Sequence, residues 1–120
     1  MYEYKAKLVR VVDGDTVDVM IDCGFSIFKK ERVRLYGINA PESRTRDKEE
    51  KKRGLAATAR LKELIKEGKN EFVLETRIDK KGKYGRLLGT LRNGNIDKER
   101  SYNEILLDEG HAVEYYGGRK

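Results

Sequence analysis

Apolar and polar positions alternate along the first third of the chain, the signature of half-buried strands. Ala6, Leu8 and Val9 among lysines predict a strand over residues 4–12, and Val17, Val19 and Ile21, interleaved with Asp18, Met20 and Asp22, predict a second over 16–22. Between them, Asp13-Gly14-Asp15-Thr16 reads as a tight turn or bulge bracketed by acids. Cys23-Gly24 marks the next turn, after which Phe25, Ile27, Val33 and Leu35 continue the sheet as a third antiparallel strand. Gly37 and Pro41 break that strand. The proline fixes its own φ and biases Ala40 to an extended form, so the Asn39 side chain, the Ala40 carbonyl and the Glu42 carboxylate share one constrained turn.

The period then becomes helical from about residue 46 to 67. Leu55, Ala59, Leu61, Leu64 and Ile65 form an apolar stripe, with Gly68 where a C-terminal cap is expected. Phe72, Val73 and Leu74 predict a fourth strand; Leu87, Leu88, Thr90 and Leu91 predict a fifth, ended by Asn93-Gly94. Ser101 and Glu104 stand in capping-box relation before Ile105, Leu106 and Leu107, and Gly110 closes that short helix. The fold class is mainly β with helices. Five short strands, a helix after the third and a short C-terminal helix suit a partly open Greek-key barrel of the OB type. An α+β sandwich fits the same periodicity, which does not specify topology.

Composition narrows the function classes. The 120 residues fit one domain, 1–120, and with 40% charged against 38% hydrophobic residues its core must be economical. Lys and Arg number 27 against 21 Asp and Glu, a net charge of +6 that favours a polyanionic partner such as nucleic acid. Cys23 is the only cysteine, which excludes an intramolecular disulfide and a cysteine metal cluster. Tyr2-Glu3-Tyr4-Lys5 is too polar for a signal-peptide core, and no apolar run is long enough to span a bilayer. The expectation is a cytoplasmic monomer with no membrane partner.

Several side chains can carry chemistry. Asp15 at a strand edge can offer oxygen to a hard cation, although its surroundings do not match the helix-loop-helix calcium loop. Arg34 and Glu42 can supply the two needs of phosphodiester hydrolysis: a cation for the phosphate, and an acceptor to orient or deprotonate water. A structural ion pair is the competing reading. Lys80, Lys81 and Lys83 give the stretch from Asp79 to Arg86 a positive rim, while Tyr84 can stack or donate and Arg86 can grip phosphate at two points. Tyr115 and Tyr116 are base platforms or tail aromatics packed on the barrel. His111 reads as a helix-end residue and Cys23 as a small turn residue.

Taken together, Val12-Asp13-Gly14-Asp15-Thr16, then Arg34-Leu35-Tyr36-Gly37-Ile38-Asn39-Ala40-Pro41-Glu42, then Lys83-Tyr84-Gly85-Arg86 resemble, in order and across nearly the whole chain, the thermonuclease family of staphylococcal nuclease-like OB-fold domains. The resemblance implies a calcium-dependent endonuclease that cleaves DNA and RNA, single-stranded or locally opened, with little sequence preference and leaves 3′-phosphate ends. It implies Ca2+ held by Asp15, Asn39 and the Ala40 carbonyl, with Glu42 acting on water and Arg34 and Arg86 on the phosphate. Tyr84 would then help hold a terminal phosphate, Lys83 with Lys80 and Lys81 would attract the strand, and Tyr115 or Tyr116 would stack on a base. Asn39 departs from the family, whose better-known members carry Asp there; one negative charge is lost and weaker metal binding is expected. A non-catalytic OB module that binds nucleic acid is the alternative. The presence of Arg34, Glu42 and Arg86 together favours the enzyme.

Overall fold

Strand β1 (Tyr2–Asp13) pairs antiparallel with β2 (Thr16–Asp22), and β2 pairs with β3 (Phe28–Leu35). The computed structural model describes residues 2–79, 86–93 and 100–115, with the side chains of Ile78, Asp79 and Arg86 left aside. Register shifts fall between Leu8 and Arg10 and between Val11 and Asp13, so β1 carries bulges. Bulges bend and twist a strand, which lets β1 curl toward a second partner. That partner is β5 (Glu71–Asp79), which in turn pairs with β6 (Arg86–Arg92). Parallel pairing of Val33, Arg34 and Leu35 with Leu87, Leu88 and Gly89 closes the barrel in the order β1-β2-β3-β6-β5. The OB-type expectation therefore holds, and the sandwich does not.

Helix α1 (Lys48–Glu67) begins at Asp47, whose carboxylate accepts from the Glu49 and Glu50 amides at 3.0 and 3.3 Å. It ends at Gly68, whose amide donates to Ile65 O at 3.1 Å, while the Lys69 amide donates to Lys66 O at 2.9 Å. The expected apolar stripe needs correction. Leu55 is 52% exposed and Ala59 also faces solvent, whereas Gly54, Ala57, Thr58, Leu61, Leu64 and Ile65 form the buried face. The first half of the helix lies so close to the barrel turns that only small residues fit beneath it. Side chains of Val17, Val19, Val33, Leu35, Leu74 and Leu91 fill the barrel, and Leu61, Ile65 and Leu106 complete the core where α1 meets β1 and α2 (Tyr102–Asp108).

The capping box of Ser101 and Glu104 forms as expected. The β2–β3 connection differs from expectation. Residues 24–27 form a turn closed by Cys23 N to Ile27 O and Ile27 N to Gly24 O, so β3 starts at Phe28 and leaves Phe25 fully exposed at the tip. A second small sheet, unforeseen from periodicity, joins β4 (Ile38–Asn39) to β7 (Val113–Glu114). Two-residue strands carry too little alternation to register as a pattern.

Candidate active site

The turn between β1 and β2 and the turn that follows β3 meet at one end of the barrel. Asp15, 8% exposed, accepts the Ala40 amide on Oδ2 at 3.0 Å and the Thr16 hydroxyl on Oδ1 at 3.0 Å. Its carbonyl accepts from the Leu35 amide at 2.8 Å, so the aspartate turn is bonded to the end of β3 and to the turn beyond it. Asp13 is tied to the same turn by the Ser43 hydroxyl. Arg34 points its Nη2 at Asn39 Oδ1, 3.0 Å away, and lies 3.9 Å from Asp15 Oδ2. Its Cζ stands 5.3 Å from the centre of the Tyr115 ring.

Helix α1 fixes the separation of these turns. A Cβ on Gly54 would lie 2.6 Å from the Glu42 carbonyl carbon and oxygen, so the helix backbone rests directly on the backbone that carries Glu42. Ala57 packs on Gly14 just as closely. The result is a cleft of about 690 Å³, with Asp15, Arg34, Asn39, Ala40 and Glu42 on its barrel side and Glu50, Arg53 and His111 on the other. Glu42 is exposed at this cleft.

The structure thus gathers five of the residues singled out in the sequence, and Tyr115 joins them through Arg34. Arg86 is placed by its backbone at the start of β6, opposite Asp79. Lys83, Tyr84 and Tyr116 lie outside the described residues, as do Lys80, Lys81 and Gly94. His111 sits just past the end of α2 as expected, its amide donating to Leu106 O at 2.9 Å, and it also lines the cleft, with Nε2 3.8 Å from Glu109 Oε1. Glu109 is itself held by Arg60, whose guanidinium hydrogen bond pulls the carboxyl below its ordinary value against the opposing effect of burial.

Sequence reasoning missed four contributors. Glu50 and Arg53 sit in a dense charge run where nothing local distinguishes one residue from another. Asn103, 4% exposed, donates from Nδ2 to Tyr36 O at 2.8 Å and Gly89 O at 3.1 Å and accepts the Leu91 amide at 3.2 Å, so it ties α2 to the end of β3 and to β6. Gly54 was the findable one. A lone glycine inside a helical pattern costs about 1 kcal/mol against alanine, and its presence signals a packing reason.

The candidate metal donors are all oxygen: the Asp15 carboxylate, the Asn39 carboxamide and the Ala40 carbonyl. This chemistry fits a hard divalent cation. The charge offered is small, since of these three donors only the Asp15 carboxylate is charged, and no cluster of three or more His, Cys, Asp or Glu residues able to hold a metal occurs among the described residues. Such a set suits a cation whose coordination is completed by the anionic ligand itself.

A closed five-stranded barrel with a cleft at one end, lined by both carboxylates and guanidinium groups, defines a small OB-type domain. Residues 32–120 match the family model described as staphylococcal nuclease homologue, and the chain belongs to that family. It is 33% identical over 118 residues to protein ParB of Escherichia coli, covering 94% of this chain and 58% of that protein. It is 32% identical over 124 residues to micrococcal nuclease of Shigella flexneri (96% and 62%), and 34% identical over 105 residues to endonuclease YncB of Bacillus subtilis (88% and 45%). The chain therefore spans roughly half to three-fifths of the length of these relatives.

Proposed function

We propose that this protein is a calcium-dependent endonuclease that hydrolyses phosphodiester bonds of DNA and RNA with little sequence preference and leaves 3′-phosphate ends. The observation that carries this reading is the cleft itself, where the Arg34 guanidinium lies among the oxygens of Asp15 and Asn39 while Glu42 is exposed beside it. Membership of the staphylococcal nuclease homologue family and the nuclease names of two relatives support it.

In this reading Arg34 binds a non-bridging phosphate oxygen through in-plane N–H donors and stabilises the charge that builds there as water adds to phosphorus. Glu42 orients that water and takes its proton. The bond from phosphorus to the 5′-oxygen breaks, and the departing oxygen takes a proton from solvent. Arg86 is assigned as the second phosphate cation from its place in the motif. Asp15, Asn39 and the Ala40 carbonyl would hold calcium, which when bound supplies Lewis-acid stabilisation of phosphoryl charge.

Cleavage of single-stranded DNA, assayed with calcium and then with chelator, tests the proposal. Activity is expected with calcium only. Arg34→Ala and Glu42→Gln are each expected to lower kcat by about 100-fold or more. Binding without cleavage by pure protein would instead indicate a non-catalytic nucleic-acid module.

A further inference from the structure

Beyond α2 the chain returns to the cleft. Val113 pairs with Asn39 and Glu114 with Ile38, and the Tyr115 amide donates to Gly37 O at 2.9 Å. These bonds deliver the Tyr115 ring to Arg34, 5.3 Å from ring centre to Cζ. The two kinds of contact on Arg34 constrain different motions. The hydrogen bond to Asn39 and the approach to Asp15 act on the edge of the guanidinium, and they leave tilt about that edge open. An aromatic ring beside the cation opposes the tilt, because its electron-rich face attracts the charge.

We infer that Tyr115 is a positioning residue for Arg34, holding the guanidinium in the plane in which its free N–H donors meet phosphate. This inference rests on the phosphodiesterase reading of the same cleft. It gives β7 a role as well: its pairing with β4 brings Tyr115 to the cleft.

Kinetics on a single-stranded oligonucleotide with calcium, together with NMR of the Arg34 Nε–H group, test this. Tyr115→Ala is expected to lower kcat roughly 5- to 30-fold, with KM held within about twofold, and Tyr115→Phe to restore kcat because the ring face remains. In an Arg34→Ala background, Tyr115→Ala is expected to change nothing further. The Arg34 Nε–H signal is expected to move and to exchange faster with solvent in Tyr115→Ala but not in Tyr115→Phe. A rise in KM at constant kcat would make Tyr115 a base platform and overturn the inference, as would an Arg34 signal indifferent to the ring. Thermal unfolding of each variant separates these outcomes from loss of fold. Wild-type protein without nuclease activity would defeat the functional reading alone, since the NMR comparison still decides whether the ring positions the arginine.

Discussion

Asn39 commits its carbonyl oxygen to Arg34 and brings no charge of its own to the cleft. Asp15 is the buried carboxylate at this point, and its two oxygens already accept the Ala40 amide and the Thr16 hydroxyl. A second carboxylate at position 39 would keep an acceptor for Arg34 and add one negative charge to the donor set. On the calcium reading proposed above, Asn39→Asp is expected to tighten calcium binding by about tenfold or more, the effect of raising ligand charge count in an oxygen site. Calorimetry, or the calcium-dependent rise in Tm, reads this without reference to activity. An unchanged affinity would show that position 39 contributes no donor.

Helix α1 illustrates how an element is recognised locally but docked by packing. Its length and the Gly68 stop are nearest-neighbour properties, and they were legible within two residues; the Asp47 cap came with the structure. Its buried face was not, because apolar periodicity favours Leu55 whereas the turns beneath the helix leave room for Gly54 and Ala57. Gly54→Ala tests the consequence. Alanine raises helix propensity by about 1 kcal/mol, yet its Cβ would meet the Glu42 backbone, which has no flexible end to yield. The variant is expected to lose about 1–3 kcal/mol of stability in urea unfolding, with a fall in kcat as Glu42 shifts. Equal or higher stability would mean that the helix can move off the turn at no cost.

Across the whole molecule, ionisable groups tie stability to pH at both extremes. Asp18 sits on β2 between Arg10 of β1 and Arg32 of β3, receiving the Arg32 Nε–H at 2.9 Å. That hydrogen bond holds its carboxyl below the ordinary value, aided by the charges of Arg32, Arg10 and Lys30 and opposed by burial. A depressed folded-state value contributes stability above the unfolded value, near pH 4, and that contribution is lost as pH falls through the folded value. Tyr102 acts at the other extreme. Burial, then the nearby charge of Glu67, pushes its phenol up to about 12. Its contribution is complete below about pH 10 and is lost as pH rises through the folded value. Stability measured against pH is expected to fall on both limbs, with Asp18→Asn flattening the acid limb and Tyr102→Phe the alkaline one. Limbs that keep their slopes in these variants would assign the pH dependence to other groups.

Alternation, caps, turn residues and the order of short motifs are properties of neighbouring residues, so the sequence by itself determined the order of the five barrel strands and two helices, the positive balance of charge, the resemblance that implied an OB barrel and the run from Arg34 to Glu42 as a candidate phosphate site, but not the β4–β7 sheet. Contacts between residues distant in the chain arise only when the barrel closes and α1 and α2 pack on it. Tertiary structure alone therefore decided that Asn103 ties α2 to the end of β3, that Gly54 carries the helix onto Glu42, and that Tyr115 comes to rest against Arg34. Each of these depends on the geometry of two surfaces brought together, and side-chain type along the chain does not encode it.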